Sequence, residues 1–149
     1  MAVAHHLAQR QAGTVVTNAL DIATYLVHQS QLSVILTGGQ IERRNSAALG
    51  YLAELTLREL RADRAIIGVR GIHLPNGVTG DDLPHVQLLR TVIDLAPEII
   101  VVADSSKWGS SGPAFLAPLE AIDVIVTDLN APPAMVWDLT ELGIQIIQT

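Results

Sequence analysis

Hydrophobic positions along this chain fall into two alternating patterns. Short runs rich in β-branched residues, such as Val15-Val16, Val34-Ile35-Leu36, Ile66-Ile67 and Ile99-Ile100-Val101-Val102, read as strands. Between them lie longer stretches with apolar residues every three to four positions, which read as amphipathic helices. The pattern predicts a helix over 2–11 ended near Gly13, a strand over 14–17, and a helix through about Val27 capped by Asn18. A strand over 33–37 is closed by Gly38-Gly39, and a helix over 46–61 carries Leu49, Leu52, Leu55, Leu57 and Leu60. A third strand spans 65–69. Residues 71–82 read as irregular around the turn Pro75-Asn76-Gly77. Asp82 as cap and Pro84 in the first turn predict a helix over 83–95. A strand over 98–102, a weaker helical piece over 115–119, a strand over 124–127, a helix over 133–142 and a strand over 144–147 complete the pattern.

Strands separated by helices at this spacing imply parallel βαβ units. The fold class expected is therefore α/β, a mostly parallel sheet with helices on both faces, in one domain over 1–149. The helix at the very start has no strand before it to pack on. In a βα protein this predicts that its strand and loop lie upstream, so the chain is expected to be a piece of a longer protein.

Composition narrows the picture. Half the residues are hydrophobic (49%) but only 3% are aromatic, so the core must be built from Leu, Ile, Val and Ala. The absence of cysteine excludes disulfides and thiolate metal sites. No apolar run approaches the roughly 20 residues needed to span a bilayer, and Met1-Ala2-Val3-Ala4-His5-His6 lacks the features of a secretory signal. A cytoplasmic protein without membrane contact is expected. A net charge of -6 opposes direct contact with a phosphate backbone. Arg58, Arg61 and Arg64 are interleaved with Glu54, Glu59 and Asp63, the pattern of a solvated helix face. His5 and His6 are adjacent on a helix and diverge, while His28, His73 and His85 are scattered, so no metal is expected.

The candidate chemistry lies in the loops that follow predicted strands. These are Thr17-Asn18, Gly38-Gly39-Gln40, Gly68-Val69-Arg70-Gly71 with Thr79-Gly80-Asp81-Asp82, and Asp104-Ser105-Ser106-Lys107. Lys107 is the chain's single lysine; eight arginines supply the other strong positive charge. In a parallel sheet all four loops would gather at the carboxyl edge, where open α/β sheets bind ligands. Hydroxyls, glycine amides, an arginine and an ammonium there suit a phosphorylated polyol. No Walker, dinucleotide-binding or nucleophile-elbow pattern is present.

The order of these segments is informative as a set. Val16-Thr17-Asn18, Ile35-Leu36-Thr37-Gly38-Gly39, Leu49-Gly50, Arg61-Ala62-Asp63-Arg64-Ala65, Gly68-Val69-Arg70-Gly71-Ile72, Ala103-Asp104-Ser105-Ser106-Lys107-Trp108-Gly109 and Ile122 to Asp128 together resemble the C-terminal sensor domain of DeoR-family transcriptional regulators. The resemblance implies a fold related to ribose-5-phosphate isomerase and the glucosamine-phosphate deaminases. It also implies an effector-binding, homo-oligomeric, non-catalytic role, with no cofactor, in a repressor of sugar metabolism that senses a phosphorylated sugar or related metabolite. DNA would be bound only by an N-terminal winged helix-turn-helix, expected to lie upstream of residue 1 together with the family's Asp-x-Gly-Thr-Thr phosphate loop. By position, Asn18, Gly38, Gly39, Arg70 and Lys107 would line the effector pocket, with Asp104 shaping its loop. One segment departs from the family: Val86-Gln87-Leu88-Leu89-Arg90 keeps the arginine but has Gln87 and Leu89 where an acid and a lysine are usual. The enzymatic alternative, a sugar-phosphate isomerase or deaminase, would need Asp81 or Asp82 as general base. A third reading is an assembly domain with a decayed pocket.

Overall fold

The computed structural model describes residues 1–149. The apolar runs resolve into eleven short strands and five α-helices, grouped in two compact units, Met1–Glu59 and Leu60–Thr149.

The first unit contains α1 (Ala2–Leu7), β1 (Thr14–Thr17), α2 (Leu20–Gln29), β2 (Ser33–Leu36), β3 (Gln40–Glu42), β4 (Ala47–Leu49) and α3 (Tyr51–Arg58). β1 and β2 pair in parallel, with Val15 opposite Val34 and Val16 opposite Ile35, as their β-branched residues predict. α1 stops at Leu7, short of the expected end, because Gln9-Arg10-Gln11 offers no apolar side chain to bury. Asn18 does not cap α2. The cap residue is Ala19, whose amide donates to Thr17 Oγ1, and the amide of Leu20 donates to the Ser46 carbonyl.

A second departure follows from the same contact. Residues 47–49, expected to open a helix, instead form β4, antiparallel to β3. Ala47, Ala48 and Leu49 are all buried, and the Ala48 amide donates to the Asn18 carbonyl at 2.7 Å. Tertiary pairing thus overrides the helix propensity of an Ala-Ala-Leu run. The helix proper begins only after Gly50.

The second unit contains β5 (Ala65–Gly68), β6 (Gly71–His73), β7 (Gly77–Gly80), α4 (Leu83–Ile93), β8 (Ile99–Val102), β9 (Ala114–Ala117), β10 (Val124–Thr127), α5 (Pro133–Glu141) and β11 (Gln145–Gln148). Four strands form a parallel sheet in the order β11-β10-β8-β5. Ile67, Val101 and Ile125 stand side by side in register and are nearly inaccessible. They join Val86 and Leu89 of α4 and Leu139 of α5 in one apolar cluster. The expected cap holds: Asp82 Oδ1 accepts from the His85 amide at 2.9 Å, with Pro84 in the first turn. The α/β class with a mostly parallel, helix-flanked sheet is therefore correct.

Two segments differ from expectation. Residues 71–80 are not irregular but a hairpin of β6 and β7, and 114–117 is not helical but a strand, β9, antiparallel to β7. The hairpin is built on glycines because the strands pass unusually close to their neighbours. A Cβ at Gly71 would lie 2.2 Å from the Ser110 carbonyl oxygen, and one at Gly77 (φ +69°) would lie 2.3 Å from that of Ala117.

Candidate functional site

In the second unit, the loops that leave β5, β8 and β10 meet at the carboxyl edge of the parallel sheet, where such folds collect polar groups. The loop after β8 is the most constrained. Ser105–Lys107 forms a single 3₁₀ turn capped by Asp104, whose Oδ1 accepts from the Ser106 amide at 2.9 Å and from the Ser106 hydroxyl. Asp128, directly after β10, accepts from the Ser105 amide at 2.6 Å and from the Asn130 amide at 2.8 Å. Two carboxylates in the loops that follow adjacent strands thus hold one turn.

Both carboxyls titrate below the ordinary aspartate range. For Asp104 the main cause is the Ser106 hydroxyl, then the Ser106 amide, with the Lys107 charge adding to it. For Asp128 it is the amides of Ser105 and Asn130. The chain next to the turn is anchored from below. Trp108 is buried and its Nε1 donates to Thr127 Oγ1 at 3.1 Å, while the Gly109 amide donates to the Ile72 carbonyl. Lys107 is half-buried, and its ammonium makes no ion pair within 4.0 Å.

Arg70, two residues beyond β5, reaches the same edge. The Ser110 hydroxyl bridges its backbone to that of Lys107, lying 3.4 Å from the Arg70 carbonyl and 2.8 Å from the Lys107 carbonyl. The Arg70 side chain is 46% exposed and its guanidinium pairs with Asp81, Nε to Oδ1 at 3.2 Å. Arg70, Asp104 and Lys107, three of the positions picked out in the sequence, are therefore neighbours along one sheet edge.

In the first unit, Asn18, Gly38 and Gly39 stand at the carboxyl ends of β1 and β2. Asn18 Nδ2 donates to the Ala48 carbonyl at 3.1 Å, which fixes the side chain and leaves Oδ1 and the second Nδ2 hydrogen available. The two glycines differ. A Cβ at Gly39 (φ +125°) would lie 2.6 Å from the Leu49 carbonyl oxygen, so this residue must be glycine for the hairpin to pack. Gly38 is exposed and has nothing within 4 Å of a Cβ.

Three residues went unnoticed as site elements in the sequence. Thr37 is fully buried beside Gly38, and its hydroxyl has no hydrogen-bond partner, an uncommon situation for a buried polar atom. Asp128 and Ser110 act through backbone groups on other loops, contacts that no local spacing reveals. A weak signal existed for Asp128 in Thr127-Asp128-Leu129-Asn130, an Asx-type turn at a strand end.

The segment Val86 to Arg90 of α4 has clear structural roles. Leu89 lies in the apolar cluster, Gln87 is exposed, and Arg90 donates to the carbonyls of Leu116 (3.3 Å) and Phe115. In this chain the segment serves packing and the support of β9.

Comparison with known proteins agrees with the geometry. Residues 1–129 match the family described as the DeoR C terminal sensor domain. An HTH-type transcriptional regulator of Haemophilus influenzae is 30% identical over 144 residues, covering 97% of this chain and 56% of that protein. The glycerol-3-phosphate regulon repressor of Escherichia coli K12 is 28% identical over 145 residues, covering 97% and 58%. A putative aga operon transcriptional repressor of Escherichia coli O157:H7 is 30% identical over 131 residues, covering 88% and 49%. This chain spans about half the length of these relatives. With the parallel sheet, the ordered loops and the matched residues in agreement, the chain belongs to the DeoR family as its C-terminal sensor domain.

Proposed function

We propose that this domain binds a phosphorylated sugar or closely related metabolite and passes the binding event to a helix-turn-helix DNA-binding module of a cytoplasmic, homo-oligomeric repressor. The observation that carries this reading is the Lys107 turn. It presents an ammonium without an ion pair at a sheet edge, on a backbone held by two carboxylates and a buried tryptophan. Such preorganisation reduces the ordering cost of binding an anion. In this reading Lys107 pairs with an anionic oxygen, Gly38 and Gly39 offer backbone amides, and Asn18 fixes a hydroxyl. Asp104 shapes the loop. Arg70 serves as a second cation, released from Asp81 when the ligand competes for it. That a related protein is named a glycerol-3-phosphate regulon repressor supports the choice of phosphorylated ligands.

A sensor needs differential affinity for two states of the protein, not turnover. The enzymatic alternative is weakened by Asp82, whose carboxylate is engaged as the cap of α4. The test is a thermal-shift screen of phosphorylated sugars and polyols against the parent and Lys107→Ala. A ligand at 100 times its dissociation constant stabilises the fold by about 2.7 kcal/mol. A shift in the parent that Lys107→Ala abolishes is the expected result. No shift with any phosphorylated ligand overturns the assignment, and release of product would move it to the enzymatic reading.

A further inference from the structure

The exposed face of α3 is built like one half of a helix pair. On this helix Tyr51 is 74% exposed, Leu52 60% and Leu55 42%, an apolar strip on a chain with few aromatics. The opposite face, with Ala53 and Leu57, is already buried. Tyr51, Glu54, Leu55 and Arg58 surround a shallow hollow of about 290 Å³. Their spacing of i, i+3, i+4 and i+7 is that of the four-residue hole that receives a side-chain knob from a facing helix.

We infer that this hollow and strip form a self-complementary dimerisation surface whose occupant is α3 of a second copy of the chain. A two-fold interface must present the same patch twice, so each feature needs its complement on the same helix. α3 meets that condition. It carries both the hole and the exposed leucines that serve as knobs. Its acid, Glu54, lies one turn before its base, Arg58, the two being 4.0 Å apart. In an antiparallel crossing near Leu55, the order of charges on one helix is reversed on the other. Glu54 of each copy then comes within reach of Arg58 of the other, and Leu55 meets Leu55. An eight-residue helix is only about 12 Å long, so the contact should give a reversible, concentration-dependent dimer.

This inference deepens the oligomeric part of the proposed function and rests on it; it does not depend on the effector. The test is sedimentation equilibrium over a wide concentration range on the full chain, with circular dichroism to confirm folding. The parent should show a monomer–dimer equilibrium. Glu54→Arg makes the face wholly basic and Arg58→Glu makes it wholly acidic, so each alone should raise the dimer dissociation constant by roughly tenfold or more through like-charge contact. An equimolar mixture of the two should recover the dimer, an outcome that misfolding of either variant cannot produce. A dimer that persists unchanged in both variants, or a mixture with no gain over its components, overturns the α3 surface while leaving oligomerisation intact. A parent that is monomeric at every concentration overturns the oligomeric reading as well.

Discussion

At the level of single residues, the candidate site depends on charges that work through the backbone. Asp104 and Asp128 hold the Lys107 turn as carboxylates, each accepting from two donors. Because both titrate below the ordinary aspartate range when folded, the unfolded chain binds protons more readily than the native one. Their stabilisation is therefore fully present above the unfolded aspartate pKa and is lost as pH falls through the lowered folded values. Above about pH 5 their contribution should be flat, and it should decay below about pH 4. Asp104→Asn and Asp128→Asn should lower the urea midpoint most at neutral pH and converge on the parent at acid pH. Parallel acid limbs for all three proteins would rule out these carboxylates as the cause. Lys107, Asp104 and the glycines were visible in the sequence because each follows a β-branched run. Thr37 and Ser110 were not, since a buried unpaired hydroxyl and a backbone bridge are properties of packing.

Elements were legible where local chemistry and tertiary demand agree. The β-branched strands β1, β2, β5, β8 and β10 lie where their sequences place them, and α4 starts at its Asp82 cap. The failures are strands made of residues with little strand preference. Ala47-Ala48-Leu49 and Ala114-Phe115-Leu116-Ala117 contain helix formers, and both are drawn into sheets by pairing partners distant in sequence. For β9 one such partner is a side chain: Arg90 of α4 donates to the carbonyls of Phe115 and Leu116. Arg90→Ala removes both donors from a strand whose Leu116 is only 3% exposed. It should cost about 1–3 kcal/mol in urea unfolding, with little change in slope. A cost within about 0.5 kcal/mol, the usual range of surface substitutions, would show that β9 is held by its strand partner alone.

Across the whole molecule, the parallel alternation was readable but the partition of its strands was not, because strand order depends on contacts far apart in sequence. The partition has an energetic consequence. The second unit encloses an apolar cluster of nineteen buried residues, among them Ile67, Ile72, Val101, Trp108, Ile125 and Leu139. The first unit buries eight apolar residues, Ala4, Ala23, Leu26, Ala47, Ala48, Leu49, Ala53 and Leu57, of which five are alanines. An alanine has one methyl to remove from water, and burial contributes only about 0.8 kcal/mol per such carbon. β1 and β2 have no fully buried residue along their length, whereas β8 and β10 do. Less apolar area must be exposed to open the first unit, so it should open more often than the second. Native-state hydrogen exchange should find that the slowest amides of β1 and β2 exchange through openings at least about 2 kcal/mol less costly than those of β8 and β10. Equal protection in both sets would mean that the chain opens only as a whole. A gap would place Asn18, Gly38 and Gly39 on the more labile unit and Lys107 on the more rigid one.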